Sequence, residues 1–358
     1  MTPPATSAPM AGESPRPLLA VRGVSKHFAV GGGIWGRAGS VVRALDDVSF
    51  EVPHGITVGL VGESGCGKTT MGHTIMGGLS ADGGEIVFDD PELGPVDIAH
   101  ADSKLRRHVR LNMQMVFQDP NSSLNPRMAL VDLVAEPLVI NRLLPRAAIR
   151  PRVAELLEQV GLSPRYMDRY PHALSGGQRQ RVVMARALAM NPKLVVADEP
   201  ISALDVSIQA QTLNLMKDLQ AEHRLTYLFI AHDLSVVNYF ADETVVMYLG
   251  RVVETGPTRP MFKAPLHPYT AALLNSVPQL GRGKRVGKRA PEGEVPSAAN
   301  PPSGCHFHPR CPYAQPICTT DVPALRTIAP GRQARCHFAG DLPLAASAPT
   351  PTQEAKSP

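Results

Sequence analysis

Short apolar runs of strand length recur along the chain. Ala44–Val52, Thr57–Val61, Glu85–Phe88, Leu111–Phe117, Leu194–Ala197, Thr226–Ala231 and Thr244–Tyr248 each read as a β-strand. Thr69–Met76, Pro151–Val160, Gln178–Met190 and Ser207–His223 lie between them and read as helices. Strands alternating with helices predict an α/β fold with a parallel core. Residues 127–172 break the alternation with mostly helical sequence, which predicts a helical subdomain at about 120–175. No apolar run approaches the roughly 20 residues that a membrane helix needs. The first 17 residues lack the basic start and apolar stretch of a secretory signal, so the expected place is the cytosol unless a partner holds the chain at a membrane.

Composition sharpens the boundaries. At about 150 residues per domain, 358 residues predict about two domains. Of 35 prolines only 12 lie within residues 18–256; the other 23 are in the N-terminal tail and after residue 256. The expectation is therefore a globular domain over 18–258, a loop-rich domain over 259–340 and disordered tails at 1–17 and 341–358. A net charge of +4 is too small to argue for nucleic acid. The basics cluster once, at Arg282, Lys284, Arg285, Lys288 and Arg289, which reads as a solvated loop or as a contact for anionic lipid or an acidic partner.

Gly62-Glu63-Ser64-Gly65-Cys66-Gly67-Lys68-Thr69 follows the pattern G-x-x-x-x-G-K-[ST], with a strand entering and a helix leaving. Glycines let the backbone curl so that N–H groups face phosphate oxygens, and the helix adds its positive end. Lys68 is expected to reach the β- and γ-phosphates and Thr69 to ligate Mg²⁺. The nucleotide-binding set here is Gly62, Ser64, Gly65, Gly67, Lys68, Thr69 and Thr70. Cys66, a thiol beside a helix N-terminus, is expected to have a lowered pKa and to be reactive but dispensable. Downstream, the apolar strand Leu194–Ala197 ends in Asp198 and Glu199; the former suits the Mg²⁺ shell and the latter suits polarising an attacking water.

Leu174-Ser175-Gly176-Gly177-Gln178 opens the helix Gln178–Met190 and forms a second anion-binding candidate. Taken with the phosphate loop it closely resembles the signature of ABC-type ATPases, over residues 18–256. The resemblance implies a P-loop ATPase domain with a mixed sheet core, a helical subdomain and an antiparallel β region. It implies that Gln118 senses Mg²⁺ and the γ-phosphate, and that Ser202-Ala203-Leu204-Asp205 faces a dimer partner. It further implies that His232 contacts the γ-phosphate and that Phe28 stacks on adenine, where the family often has Tyr. In this family two ATPase subunits meet head to tail, with each ATP between the phosphate loop of one and the signature Ser175, Gly176, Gly177 and Gln178 of the other.

The strings Gln118-Asp119-Pro120, Ser123-Leu124-Asn125-Pro126 and His267-Pro268-Tyr269-Thr270 resemble the ATPases of oligopeptide/dipeptide uptake systems. The insertion with Gly31–Gly33, Ile34, Trp35, Gly36 and Arg37 resembles the second of the two ATPase subunits in such systems. That resemblance implies a peripheral subunit on the cytoplasmic face of the membrane, hydrolysing ATP to drive peptide import. Its expected partners are a second ATPase subunit, two membrane permease subunits and an extracytoplasmic binding protein, and no nucleic acid. Nickel and glutathione importers share the pattern; a soluble ABC-type ATPase of repair or translation is the rival from another class. Cys305, Cys311, Cys318 and Cys336, spaced C-x5-C-x6-C-x17-C in a cytosolic chain, suggest a metal centre rather than disulfides. The resemblance implies a 4Fe-4S iron–sulfur cluster; structural zinc, recruiting His306, His308 or His337, is the alternative.

Overall fold

A computed structural model of the protein describes residues 16–30, 40–276 and 293–344. The insertion after Val30, the basic stretch 282–289 and most of both expected tails lie outside the described residues. Two sheets organise the rest. One is antiparallel, in the order β2 (Ser40–Val52), β1 (Leu19–Val30), β4 (Gly83–Asp90), β5 (Gly94–Asp97). The other has eight strands: β11 (Arg326–Ala329), β12 (Arg332–Ala334), β10 (Arg251–Pro257), β9 (Glu243–Tyr248), β3 (Thr57–Val61), β8 (Thr226–Ala231), β7 (Leu194–Asp198) and β6 (Met113–Val116). From β9 to β6 all neighbours run parallel, while β10, β12 and β11 pair antiparallel at the other edge.

The parallel strands are apolar without alternation because both faces are covered. Every residue of β3, β7 and β8 is buried. One core fills the space between the two sheets, around Val24, Leu45, Phe88, Leu60 and Met247. The other lies on the opposite face, where α6 (Gly176–Leu188) and α7 (Val206–His223) pack. The helices α1 (Lys68–Ile75), α2 (Ser103–Val109) and α3 (Pro120–Ser123) follow β3, β5 and β6. α4 (Leu130–Ile140) and α5 (Arg146–Gln159) fill the interruption, packing on each other and on α6. α5 begins five residues before Pro151, which sits in its second turn, and buries Val153, Leu156 and Leu157. α8 (Leu234–Phe240) leads back to β9.

The change in composition at residue 257 is not a break in packing. α9 (Thr258–Lys263) and α10 (Pro268–Ser276) bury Met261, Phe262, Tyr269 and Leu274 in the main core, and Phe307 joins them. After α11 (Pro316–Thr320) the chain returns as β11 and β12 and extends the large sheet. Glu254 in β10 is fully buried there. It accepts hydrogen bonds from the backbone of Leu266 and His267 and from Arg332, all supplied by the C-terminal region.

Candidate nucleotide site

The phosphate loop leaves the carboxyl end of β3 and enters α1. Gly65 and Gly67 take positive φ of 79° and 106°. A Cβ on Gly67 would lie 2.4 Å from the Ala44 carbonyl oxygen of β2, so only glycine fits. The two-residue hairpin Leu249-Gly250 joining β9 to β10 supports the loop from behind, with the Gly250 N–H donating to the Cys66 carbonyl at 3.0 Å. Both hairpin residues have positive φ, as a type I′ turn demands. Lys68 is nearly buried, and its Nζ donates to the carbonyls of Gly62 (2.7 Å) and Glu63 (3.0 Å). Cys66 departs from expectation. Its side chain is buried behind the loop and burial pushes the thiol up, which outweighs the nearby Lys68 charge.

Three adjacent parallel strands bring the carboxylates and their partners together at their carboxyl ends, the usual ligand edge of an open α/β sheet. Gln118 follows β6, Asp198 and Glu199 end β7, and His232 follows β8. Thr69 Oγ1 donates to Asp198 Oδ1 at 3.2 Å. Burial pushes the Asp198 carboxyl up and neighbouring Glu199 adds to this, against the Thr69 hydrogen bond. Glu199 has φ 47°, an uncommon conformation for a non-glycine residue. Its N–H nevertheless continues the ladder to the Ile230 carbonyl at 2.9 Å. Gln118 Nε2 donates to Glu199 Oε2 at 3.0 Å, and His232 Nδ1 lies 3.1 Å from Oε1.

The signature stands apart. Ser175 caps α6 in a reciprocal capping box, with its Oγ accepting from the Gln178 N–H and Gln178 Oε1 accepting from the Ser175 N–H. A Cβ on Gly177 would lie 2.6 Å from Ile208 Cγ2 on α7, so this glycine is also a packing requirement. Asp205 is exposed at the start of α7. Among the described residues no hydrogen bond joins Ser175–Gln178 to the phosphate loop. Phe28 pairs with Val42, two residues before Ala44, near the end of β1. Ser64 is exposed and Thr70 half-buried, both on the loop-to-helix transition.

Two residues that sequence reasoning passed over touch the loop directly. Tyr269 of α10 accepts a hydrogen bond from the Glu63 N–H at 2.9 Å. Arg310 pairs bidentately with the Glu63 carboxylate at 2.8 and 3.1 Å. The first lies in the phrase His267–Thr270 and the second precedes Cys311, but nothing local in the sequence links either to residue 63.

Cys305, Cys311, Cys318 and Cys336 line one cavity with His308, His337 and Phe338. Burial pushes Cys305 up to about 11 and Cys311 up to about 12, and the neighbouring cysteines add to both. Among the described residues no three His, Cys, Asp or Glu side chains form a group able to hold a single metal ion. His306 does not line this cavity; its Nδ1 lies 3.2 Å from the Leu249 carbonyl. His308 and His337 each have a ring nitrogen within 3.0 Å of a backbone carbonyl.

Residues 45–202 match the family model of the ABC transporter, and residues 253–318 match that of the oligopeptide/dipeptide transporter C-terminal region. The oligopeptide transport ATP-binding protein AppF of Bacillus subtilis is 47% identical over 323 residues, covering 90% of this chain and 97% of the relative. The di/tripeptide transport ATP-binding protein DppF of Pseudomonas aeruginosa is 46% identical, covering 90% and 98%. Among solved structures, cbiO1 of Clostridium perfringens, part of an ABC transporter complex, superposes with a TM-score of 0.58 at 28% identity, covering 69% of this chain and 91% of that one. The ATP-binding cassette MJ0796, a dimer bound to ADP and Pi, gives a TM-score of 0.58 at 29% identity, covering 67% and 99%.

Proposed function

The chain belongs to the ATP-binding subunits of the ABC transporter family that carry the oligopeptide/dipeptide C-terminal region, and from that premise we propose that it hydrolyses ATP to power peptide import through partner membrane subunits. The observation that carries the catalytic part is the Glu199 carboxylate, held between Gln118 and His232 beside the Asp198–Thr69 pair. Glu199 accepts the proton of the attacking water. Lys68 pivots from its loop carbonyls to the β- and γ-phosphates. Thr69, Asp198 and Gln118 offer hard oxygen donors of the kind Mg²⁺ takes and would hold it; bound there, the ion would neutralise phosphate charge. His232 is exposed beside Glu199 and would meet the γ-phosphate there, and Phe28, paired with Val42, would offer a ring for adenine.

Ser175–Gln178, with Asp205, face the ATP of a second ATPase subunit rather than the chain's own phosphate loop; the separation of the two in this chain supports that reading, as does the dimeric cassette among its structural neighbours. The rest of the unit is two permease subunits and an extracytoplasmic binding protein. No helix among the described residues is long and apolar enough to cross a membrane. In this reading the chain attaches peripherally, through those subunits. The test is to purify the chain from membranes with its partners and to measure peptide uptake. Co-purified membrane subunits, with uptake lost in Glu199→Gln, are expected. Recovery with ribosomes or DNA and no membrane subunit would overturn the importer reading.

We infer that the four tail thiols hold a 4Fe-4S cluster, with structural zinc as the alternative; the likeness of the C-terminal region to the oligopeptide/dipeptide transporter family supports the cluster. One zinc needs its sulfurs about 2.3 Å from a single point. The four cysteines line one cavity, and His308 and His337 each have a ring nitrogen at a backbone carbonyl. A cluster takes each thiolate on a different iron. When bound it would supply a cross-link between the loops that carry the four cysteines.

A further inference from the structure

We propose that Arg310 and Tyr269 are positioning residues for ATP binding: they clamp Glu63 and thereby hold the phosphate loop and the resting place of Lys68. The inference rests on Gly62–Thr69 being the phosphate cradle. Position 63 is one that the loop's chemistry leaves free, yet every polar group of Glu63 is engaged. Its N–H donates to Tyr269 Oη, its carboxylate takes both Arg310 nitrogens, and its carbonyl accepts from Lys68 Nζ. Three of these four bonds come from residues 206 and 247 positions away in sequence.

The clamp is rigid because its own supports are buried. Tyr269 is fully buried against Tyr248 and Phe307, with ring centroids 4.6 and 5.4 Å away, so the core sets its hydroxyl position. The Arg310 side chain is only 7% exposed, and its other side-chain acceptor is the Tyr248 hydroxyl at 3.4 Å. A bidentate guanidinium–carboxylate pair fixes orientation as well as distance. Removing either partner leaves a largely buried charge unmatched, so the two depend on each other. The loop can present its remaining N–H groups to phosphate only while Glu63 stays turned away toward the C-terminal region. A loop that must first be ordered charges that cost to ATP binding and leaves the chemical step at Glu199 alone.

The test uses the chain in complex with its partners and reads binding of a fluorescent ATP analogue, KM, kcat and Tm. Arg310→Ala should weaken nucleotide binding and raise KM by about tenfold, with kcat within about twofold. Arg310→Lys should recover part of this, and Tyr269→Phe should raise KM in the same direction. Arg310→Ala combined with Glu63→Ala should be no worse than the poorer single variant. Lys68→Ala is the control for the cradle. A lowered Tm with unchanged KM in Arg310→Ala, while Lys68→Ala loses nucleotide, would overturn the clamp and keep the cradle. Lys68→Ala binding nucleotide as wild type would overturn both. If Arg310→Ala does not fold, Arg310→Lys and Tyr269→Phe decide: a wild-type KM in both overturns the proposal.

Discussion

His232 Nδ1 lies 3.1 Å from Glu199 Oε1, across the ends of the neighbouring parallel strands β8 and β7. With Gln118 on the other oxygen, the carboxylate is aimed by partners on both sides, while the positive φ of Glu199 sets the start of its side chain. Glu199→Gln is nearly isosteric and leaves Lys68, Thr69 and Asp198 in place. It should retain ATP binding and lose on the order of 10²–10⁴ in turnover, the scale of a lost general base. Single-turnover hydrolysis checks this; wild-type turnover in the variant would remove Glu199 from that role.

Gly177 should act on the partner's nucleotide. Asp in its place adds a negative charge where phosphate is to approach and presses on Ile208. Gly177→Asp should leave ATP binding by this chain's own loop intact and stop transport. In mixed dimers with a wild-type partner, the defect should appear at the nucleotide held by the partner's loop. A defect confined to this chain's own loop would contradict the head-to-tail arrangement.

Cys66 should be inert as well as dispensable. The helix N-terminus favours a thiolate, but desolvation wins because the side chain is only 4% exposed. A bulky maleimide should modify Cys66 in the folded protein at least about tenfold more slowly than in the unfolded chain, since modification needs local opening. Peptide mass spectrometry over time measures this. Cys66→Ser should keep its ATPase activity.

The parts of the site that depend on backbone geometry were legible in the sequence. Gly67 must be glycine and Gly65 takes a positive φ that favours it, and the strands ending at Val61 and Asp198 are continuous apolar runs because both faces are covered. Strand β10, paired between β12 and β9, was not. Arg251, Glu254, Thr255 and Pro257 spoil its alternation, and Glu254 is buried only because Arg332 and the amides of Leu266 and His267 satisfy it from far along the chain. The Arg310–Glu63 pair was invisible for the same reason. Neither residue breaks a local rule, and only the fold brings them together across 247 positions.

Acid should destabilise the protein through His267. Burial pushes its imidazole down from the ordinary 6.5 to about 3. The folded state holds it neutral, with Nδ1 accepting from the Tyr269 N–H, while the unfolded chain takes up a proton below about 6.5. Its contribution is thus complete above about 6.5 and is lost progressively as pH falls toward 3, by up to about 1.4 kcal/mol per pH unit. His267→Asn keeps an acceptor and removes the titration. Its Tm should fall less than that of wild type between pH 7.5 and 5. The comparison separates His267 from Glu254, whose buried carboxyl is pushed up and titrates with the opposite sign. Equal losses in the two proteins would contradict the assignment.

The tail cysteines should hold iron and sulfide in a structural role. Around them Ala334, Cys336 and Ala339 form a small separate core, while Cys305 and Cys311 pack against the main core beside Phe307. A cross-link among the four cysteines would tie the small core to the main one. Burial pushes the Cys305, Cys311 and Cys336 thiols up, and a bound cation would offset that cost by taking the thiolate charge. Anaerobically purified protein should be brown, with about four iron and four sulfide per chain. Changing Cys305, Cys311, Cys318 or Cys336 to Ser should bleach it and expose the region to protease. Because Cys311 is joined to Arg310, its loss should also raise KM for ATP, whereas the more distant Cys318 should affect protease resistance first. Colourless protein with one zinc per chain would replace the cluster and keep the cross-link. Metal-free protein with an equally resistant tail would remove both.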